Sequence, residues 1–191
     1  KKKFVFGDVE AGAGNDSYHL LHTALFYYAP KTNLSFIGDL NNIGKQTFTF
    51  EDLMRFQGGV SSFISGRKSL TNLYSFTSEN KDVVENKSQF SALNFSHELS
   101  TKLDVSGFAL FSKLFTATQN ETALEYLQTE TLETRTQNGN NRSLLGLGNV
   151  KLDYTPNKDE KWYYNAQYQS SANDAFSLLN SVSLNNQNTF E

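Results

Sequence analysis

Cysteine is absent from the 191 residues and proline occurs only twice. The first absence excludes a disulfide framework, a thiolate metal centre and a thiol nucleophile, and it leaves the compartment open. No stretch approaches the roughly 20 consecutive apolar residues that a membrane helix requires. That does not argue for solubility in water, because a membrane-crossing strand needs only about 9 to 11 residues with every second one apolar. Charge is also sparse: 17 Lys and Arg against 20 Asp and Glu leave a net charge of -3. Apart from Lys1-Lys2-Lys3 the cations are scattered, so the chain shows no basic footprint for a nucleic acid.

What is present is apolar and aromatic: 38% of the residues are hydrophobic and 14% are Phe, Trp or Tyr, too many for a disordered tail. The length suits one domain. A mean hydropathy of -0.51 fits a soluble protein or a barrel with a polar lumen, and composition does not choose between them.

The cleanest pattern lies between Ser143 and Ser170. Leu144, Gly146, Gly148, Val150, Leu152 and Tyr154 alternate with Ser143, Asn149, Lys151 and Asp153, which is the period of a strand. After the turn residues Thr155 to Lys161 the period resumes, with Trp162, Tyr164, Ala166 and Tyr168 opposite Asn165, Gln167 and Gln169. Weaker copies run along the chain. The spacing predicts strands over Lys1–Gly14, Ser17–Ala29, Asn33–Asn41, Ser88–Glu98 and Lys102–Phe115, and a last one around Phe176–Asn185. The facing of the second is ambiguous, because His22 falls among apolar even positions.

The connections follow a rule. Short turns are expected at Pro30–Thr32, Leu99–Thr101 and Pro156–Glu160, and long polar excursions at about 43–87 and 116–142, the latter carrying its own ribbon. Since direction reverses at each connection, the short turns fall at one end of the sheet and the long loops at the other. Both prolines sit in short turns, where a residue without a backbone donor is tolerated. Aromatics crowd the same end: Tyr27, Tyr28, Phe95, Tyr154, Trp162, Tyr163 and Tyr164. A meander with this polarity is what a bilayer asks of a strand protein, since backbone groups in hydrocarbon must pair within a closed barrel and Tyr and Trp favour the headgroup level. The expected fold is therefore all-β, an antiparallel up-and-down meander of a transmembrane β-barrel. One face of each hairpin would meet lipid; the Asn, Gln, Ser, Asp and Lys face would meet the lumen.

Side chains that carry chemistry are few. His19 and His22 have helical i, i+3 spacing but on a strand point to opposite faces, so no metal site is expected. Gly12-Ala13-Gly14 opens no helical pattern, no Gly-x-Ser-x-Gly elbow is present, and Asp39, Asp104 and Asp153 read as wet lining; no catalytic residue, cofactor or enzyme activity is expected. Long loops over a barrel mouth carry ligand contacts. The binding candidates are accordingly Phe48, Phe50, Arg55, Phe56 and Arg67, in the Gln46–Leu70 stretch where Thr49-Phe50-Glu51-Asp52 also resembles a capping box before a short helix.

The runs Asn33 to Gly44, Phe48 to Asp52 and Arg55 to Gly59 resemble the early barrel strands and first large loop of Bacteroidetes outer-membrane TonB-dependent receptor-like proteins. Phe95 to Gly107 is similar to a hairpin that recurs later in those barrels, and Lys1-Lys2-Lys3-Phe4 to the junction where their plug ends and the barrel begins. The resemblance implies that the meander is part of a transmembrane outer-membrane β-barrel, a segment just after the plug, with no plug in these residues, and about eight strands or somewhat fewer of the roughly 22 that plugged transporters use. It implies import of a nutrient ligand across the outer membrane of a Gram-negative bacterium. The implied partners are outer-membrane lipid, the remainder of the barrel and a plug domain, and a TonB-type energy-coupling protein acting through that plug; they can include a surface lipoprotein. Two other readings stay open on the residues alone: a structural or secretion-associated barrel component without transport of its own, and a soluble carbohydrate-binding β-domain.

Overall fold

The computed structural model describes residues 3–45, 82–129 and 131–185. Among the described residues seven strands follow one another: β1 (Phe4–Ala13), β2 (His19–Ala29), β3 (Thr32–Asn41), β4 (Val83–Ser100), β5 (Leu103–Tyr126), β6 (Thr131–Tyr154) and β7 (Trp162–Asn185). They form one antiparallel sheet in the order of the chain, and β1 and β7 do not pair with each other, so the sheet is open. A single 3-10 turn, Asn15–Ser17, joins β1 to β2. Asp16 and Ser17 there hold positive φ angles of 56° and 65°, a left-handed geometry that a short polar side chain tolerates. The two candidate binding arginines and three phenylalanines, Phe48, Phe50, Arg55, Phe56 and Arg67, lie outside the described residues, as does the short helix expected with them.

The connections β2–β3, β4–β5 and β6–β7 all lie at one end, as the reversal rule requires. These turns are stitched to each other. Glu98 N–H donates to the Lys31 carbonyl at 2.8 Å and Lys31 Nζ to Glu98 Oε1 at 3.2 Å. Thr155 N–H donates to the Lys102 carbonyl at 2.8 Å, and Lys102 Nζ to the Pro156 carbonyl at 2.6 Å. Within the last turn, Asn157 Oδ1 accepts from Asp159 N–H at 3.0 Å, the local turn that Asx residues favour.

At the opposite end the expectation of long loops needs correction. β1 and β2 are joined through Gly14–Tyr18 only. The 116–142 excursion is the outer reach of β5 and β6, which pair without interruption from Leu103↔Tyr154 to Tyr126↔Thr131, while β7 follows β6 to Asn185. In the 43–87 stretch, β4 already begins at Val83 and pairs with β5 from Val83↔Thr118. The Thr-, Glu- and Asn-rich sequence marks this ribbon only by partial alternation, because a ribbon with both faces wet carries little apolar patterning.

Register places the residues in rows across the sheet, and the two faces differ. Phe26, Ala24, Ile37, Ala92, Phe90, Phe108, Leu110, Leu145 and Leu147 form one buried apolar cluster. All lie on the face read as polar lumen, along with Ser35, Asp39, Asn41, Ser88, Ser112 and Asn149, which are also buried. That face is therefore apolar at its centre and polar towards its ends. The sequence concealed this because runs such as Ala24-Leu25-Phe26, Phe36-Ile37 and Leu144-Leu145 are apolar on both sides of the strand. The opposite face, with Leu25, Leu34, Phe36, Leu93, Val150 and Tyr168, is exposed.

Candidate functional site

Two surfaces have the properties of a site. The first is a hollow of about 340 Å³ on the buried face near the short turns. Neighbouring strands deliver its polar groups in two register rows: Asn33, Ser96, Ser106 and Lys151 in one, and Ser35, Asn94 and Asn149 in the next. Tyr28 closes one side, and its ring belongs to a stack with Phe4 at 5.4 Å and Phe6 at 5.9 Å, Phe6 in turn lying 5.0 Å from Phe26. Asn149 Nδ2 donates to Asn165 Oδ1 at 2.6 Å, which fixes the amide on β6 against β7. Among the described residues the lining offers amides, hydroxyls and one cation, Lys151, with no carboxylate or imidazole. Such a set makes hydrogen bonds to a polar ligand.

Further along the same face, His22 Nδ1 lies 2.8 Å from Asp39 Oδ2, and Asn41 Nδ2 donates to Asp39 Oδ1 at 2.9 Å and to the Lys45 carbonyl at 3.1 Å. Asp8 Oδ2 stands 3.7 Å from the other imidazole nitrogen. Both oxygens of the buried Asp39 carboxylate thus have a partner, as burial demands. The ambiguous facing of β2 is resolved: Leu20, His22, Ala24, Phe26 and Tyr28 share the inner face, while His19 lies on the outer one. The link between His22 and Asp39 was missed in the sequence, although the two-residue turn Pro30–Lys31 determines it. Seven steps back from Ala29 and seven forward from Thr32 reach the two residues. Among the described residues no group of three His, Cys, Asp or Glu side chains is placed to hold a metal.

The second surface is the exposed face. From the short-turn end, its positions on β5 are Leu103, Val105, Gly107, Ala109 and Phe111, and the first charge is Lys113. On β4, β6 and β7 the first charges at that end are Lys87, Arg142 and Asp174. From Leu103 to Lys113 the strand rises about 34 Å; at the roughly 35–45° tilt of barrel strands this spans about 24–28 Å. The near rim of this band carries Tyr27, Phe95, Tyr154, Trp162 and Tyr164, with Trp162 66% and Tyr164 60% exposed. His97 and Thr32, also at this rim, pair at 2.8 Å and satisfy each other.

No protein-family model, no curated protein and no solved structure matches the chain.

Proposed function

We propose that this chain is wall and lining of an outer-membrane β-barrel that imports a nutrient, of the TonB-dependent receptor-like kind. The observation that carries the proposal is the exposed face: uncharged over the height of a hydrocarbon layer, edged by Tyr and Trp at one limit and by Lys87, Lys113, Arg142 and Asp174 at the other. A sheet in water would place its charges on such a face; lipid requires their absence. The open edges of β1 and β7 need further strands to satisfy their backbone groups in hydrocarbon. The transport part draws on the resemblance of Asn33–Gly44 and Phe95–Gly107 to that family and on the hydrogen-bonding hollow behind the wall. In this reading a plug and its energy-coupling partner supply the driving step, and the chain supplies the path.

Trp162 is the chain's sole tryptophan and reads its own depth. Reconstituted into vesicles, it is expected to fluoresce at short wavelength and to be quenched more by lipids brominated near the headgroup than by lipids brominated near the chain end. A chain that is monodisperse in plain buffer, melts cooperatively there and is quenched by neither lipid refutes the membrane reading. Deleting the protein from its host and finding every energised nutrient uptake intact would remove the transport part.

A further inference from the structure

The proposal concerns the far limit of the exposed band. There Lys87, Phe115 and Arg142 stand side by side on β4, β5 and β6, in a single register row. Both cations lean on the ring: Lys87 Nζ is 5.8 Å from its centroid and Arg142 Cζ 5.7 Å. Lys113 occupies the same face two residues nearer the middle of the band. The three cations form a triangle around an aromatic floor, its long side about 10 Å because two strand spacings separate Lys87 from Arg142. Two carboxylates belong to the neighbourhood. Glu85 pairs with Lys87, and Asp174 faces Arg142 in register. Among the described residues neither Lys113 nor Arg142 has a carboxylate within ion-pairing distance, and both side chains are exposed.

We propose that this triangle seats the phosphate headgroup of an anionic lipid whose acyl chains lie along the band below it, against Phe111 and Leu144. The inference rests on the membrane reading given above. Cations held against an aromatic face present their remaining donors outward, and a guanidinium with a neighbouring ammonium is suited to a phosphate's oxygens. The continuity of the triangle with an uncharged apolar surface selects an amphiphile over a free anion: a soluble phosphate would use only the cations, whereas a lipid uses both. Lys87 is already engaged by Glu85, so Lys113 and Arg142 carry most of the attraction.

The test uses the full chain reconstituted into phosphatidylcholine vesicles with and without phosphatidic acid, extracted into detergent and weighed by native mass spectrometry for retained lipid. Retained phosphatidic acid is expected, and it falls about fivefold for each cation removed, on the order of thirtyfold for Lys113→Gln with Arg142→Gln. Lys158→Gln, in the turn at the opposite end, is expected to leave retention unchanged. Equal retention by wild type and the double variant, or an equal drop with Lys158→Gln, overturns the proposal. So does competition by inorganic phosphate that strips the lipid, because the occupant would then be the free anion. Quenching of Trp162 by brominated lipid, read in the same vesicles, separates the two failures. If Trp162 is quenched while no phosphatidic acid is retained, only the headgroup site is lost; if Trp162 is not quenched, the membrane reading falls with it.

Discussion

Gly107 is a position where the sheet has little room for a side chain, and its replacement by alanine tests the packing directly. It lies mid-strand on β5, paired with Val150 on β6 and with Phe95 on β4. A Cβ there would stand 2.3 Å from the Asn149 backbone carbonyl oxygen and 3.1 Å from two carbons of the Phe95 ring. The ring can turn aside; the carbonyl cannot, because it belongs to a β5–β6 ladder that runs unbroken for 24 residues. Overpacking of this kind costs about 1–3 kcal/mol, offset by about 0.4–1 kcal/mol from the stiffer unfolded chain. A net loss of about 1–2 kcal/mol is expected, close to tenfold in the folding equilibrium. Gly148, on the same outer face, is the matched control: its nearest neighbours are 3.8 Å away, so Gly148→Ala is expected to be neutral or stabilising by up to about 1 kcal/mol. Both are measured by urea unfolding of the full chain in one lipid or detergent, followed by Trp162 fluorescence. Adding Phe95→Leu to Gly107→Ala should recover only part of the loss, because it relieves the ring and leaves the carbonyl. Equal unfolding midpoints for the two alanine variants would refute the reasoning, and full recovery by Phe95→Leu would move the clash from backbone to ring. Since Asn149 also lines the hollow, a displaced β6 should alter that site as well.

Three further outcomes are expected. Ala109→Arg places a charge at the middle of the exposed band and should cost about 2–4 kcal/mol in a bilayer, whereas Asn138→Arg on the outer ribbon should cost nothing measurable; equal costs in a lipid-refolding titration contradict the membrane reading. Asp39→Ala removes the partner of His22 Nδ1 and one of the two acceptors of Asn41 Nδ2, which keeps the Lys45 carbonyl. The imidazole's loss is worth about 1–3 kcal/mol, and amide exchange at Leu21–Thr23 should accelerate; unchanged exchange would show that the network does not hold β2 to β3. Glu133, on the ribbon well beyond the band, accepts from Arg135 at 2.7 Å, Ser181 at 2.5 Å and Tyr126 at 2.8 Å, and these bonds, Arg135 first, bring its pKa from 4.5 down to about 2. A depressed folded value means that the stabilisation is full above pH 4.5 and is lost as pH falls towards about 2. The ribbon should loosen across that window and Glu133→Gln should abolish the dependence; a carboxyl chemical-shift titration with its midpoint near 4.5 would contradict the network.

Sequence alone determined the strand class, the reversals and the outer face. Alternation at Leu144–Tyr154 and Trp162–Tyr168 names which side chains share a side, and the pairs flanking Pro30–Lys31 settle the β2–β3 register, because side-chain direction has period two and a tight turn leaves no slack. Tertiary structure decided three things that period and composition do not encode. It extended β5, β6 and β7 through a polar stretch, since a backbone ladder forms between strands whatever their side chains once neighbours supply the partners. It put an apolar centre on the inner face, because Phe26, Ile37, Phe90, Phe108 and Leu145 come from five strands and become one patch only when register aligns them. It also assembled Lys87, Lys113 and Arg142 around Phe115 from three strands separated in sequence. A strand's own residues fix which way it faces; which neighbours it meets is a property of the sheet.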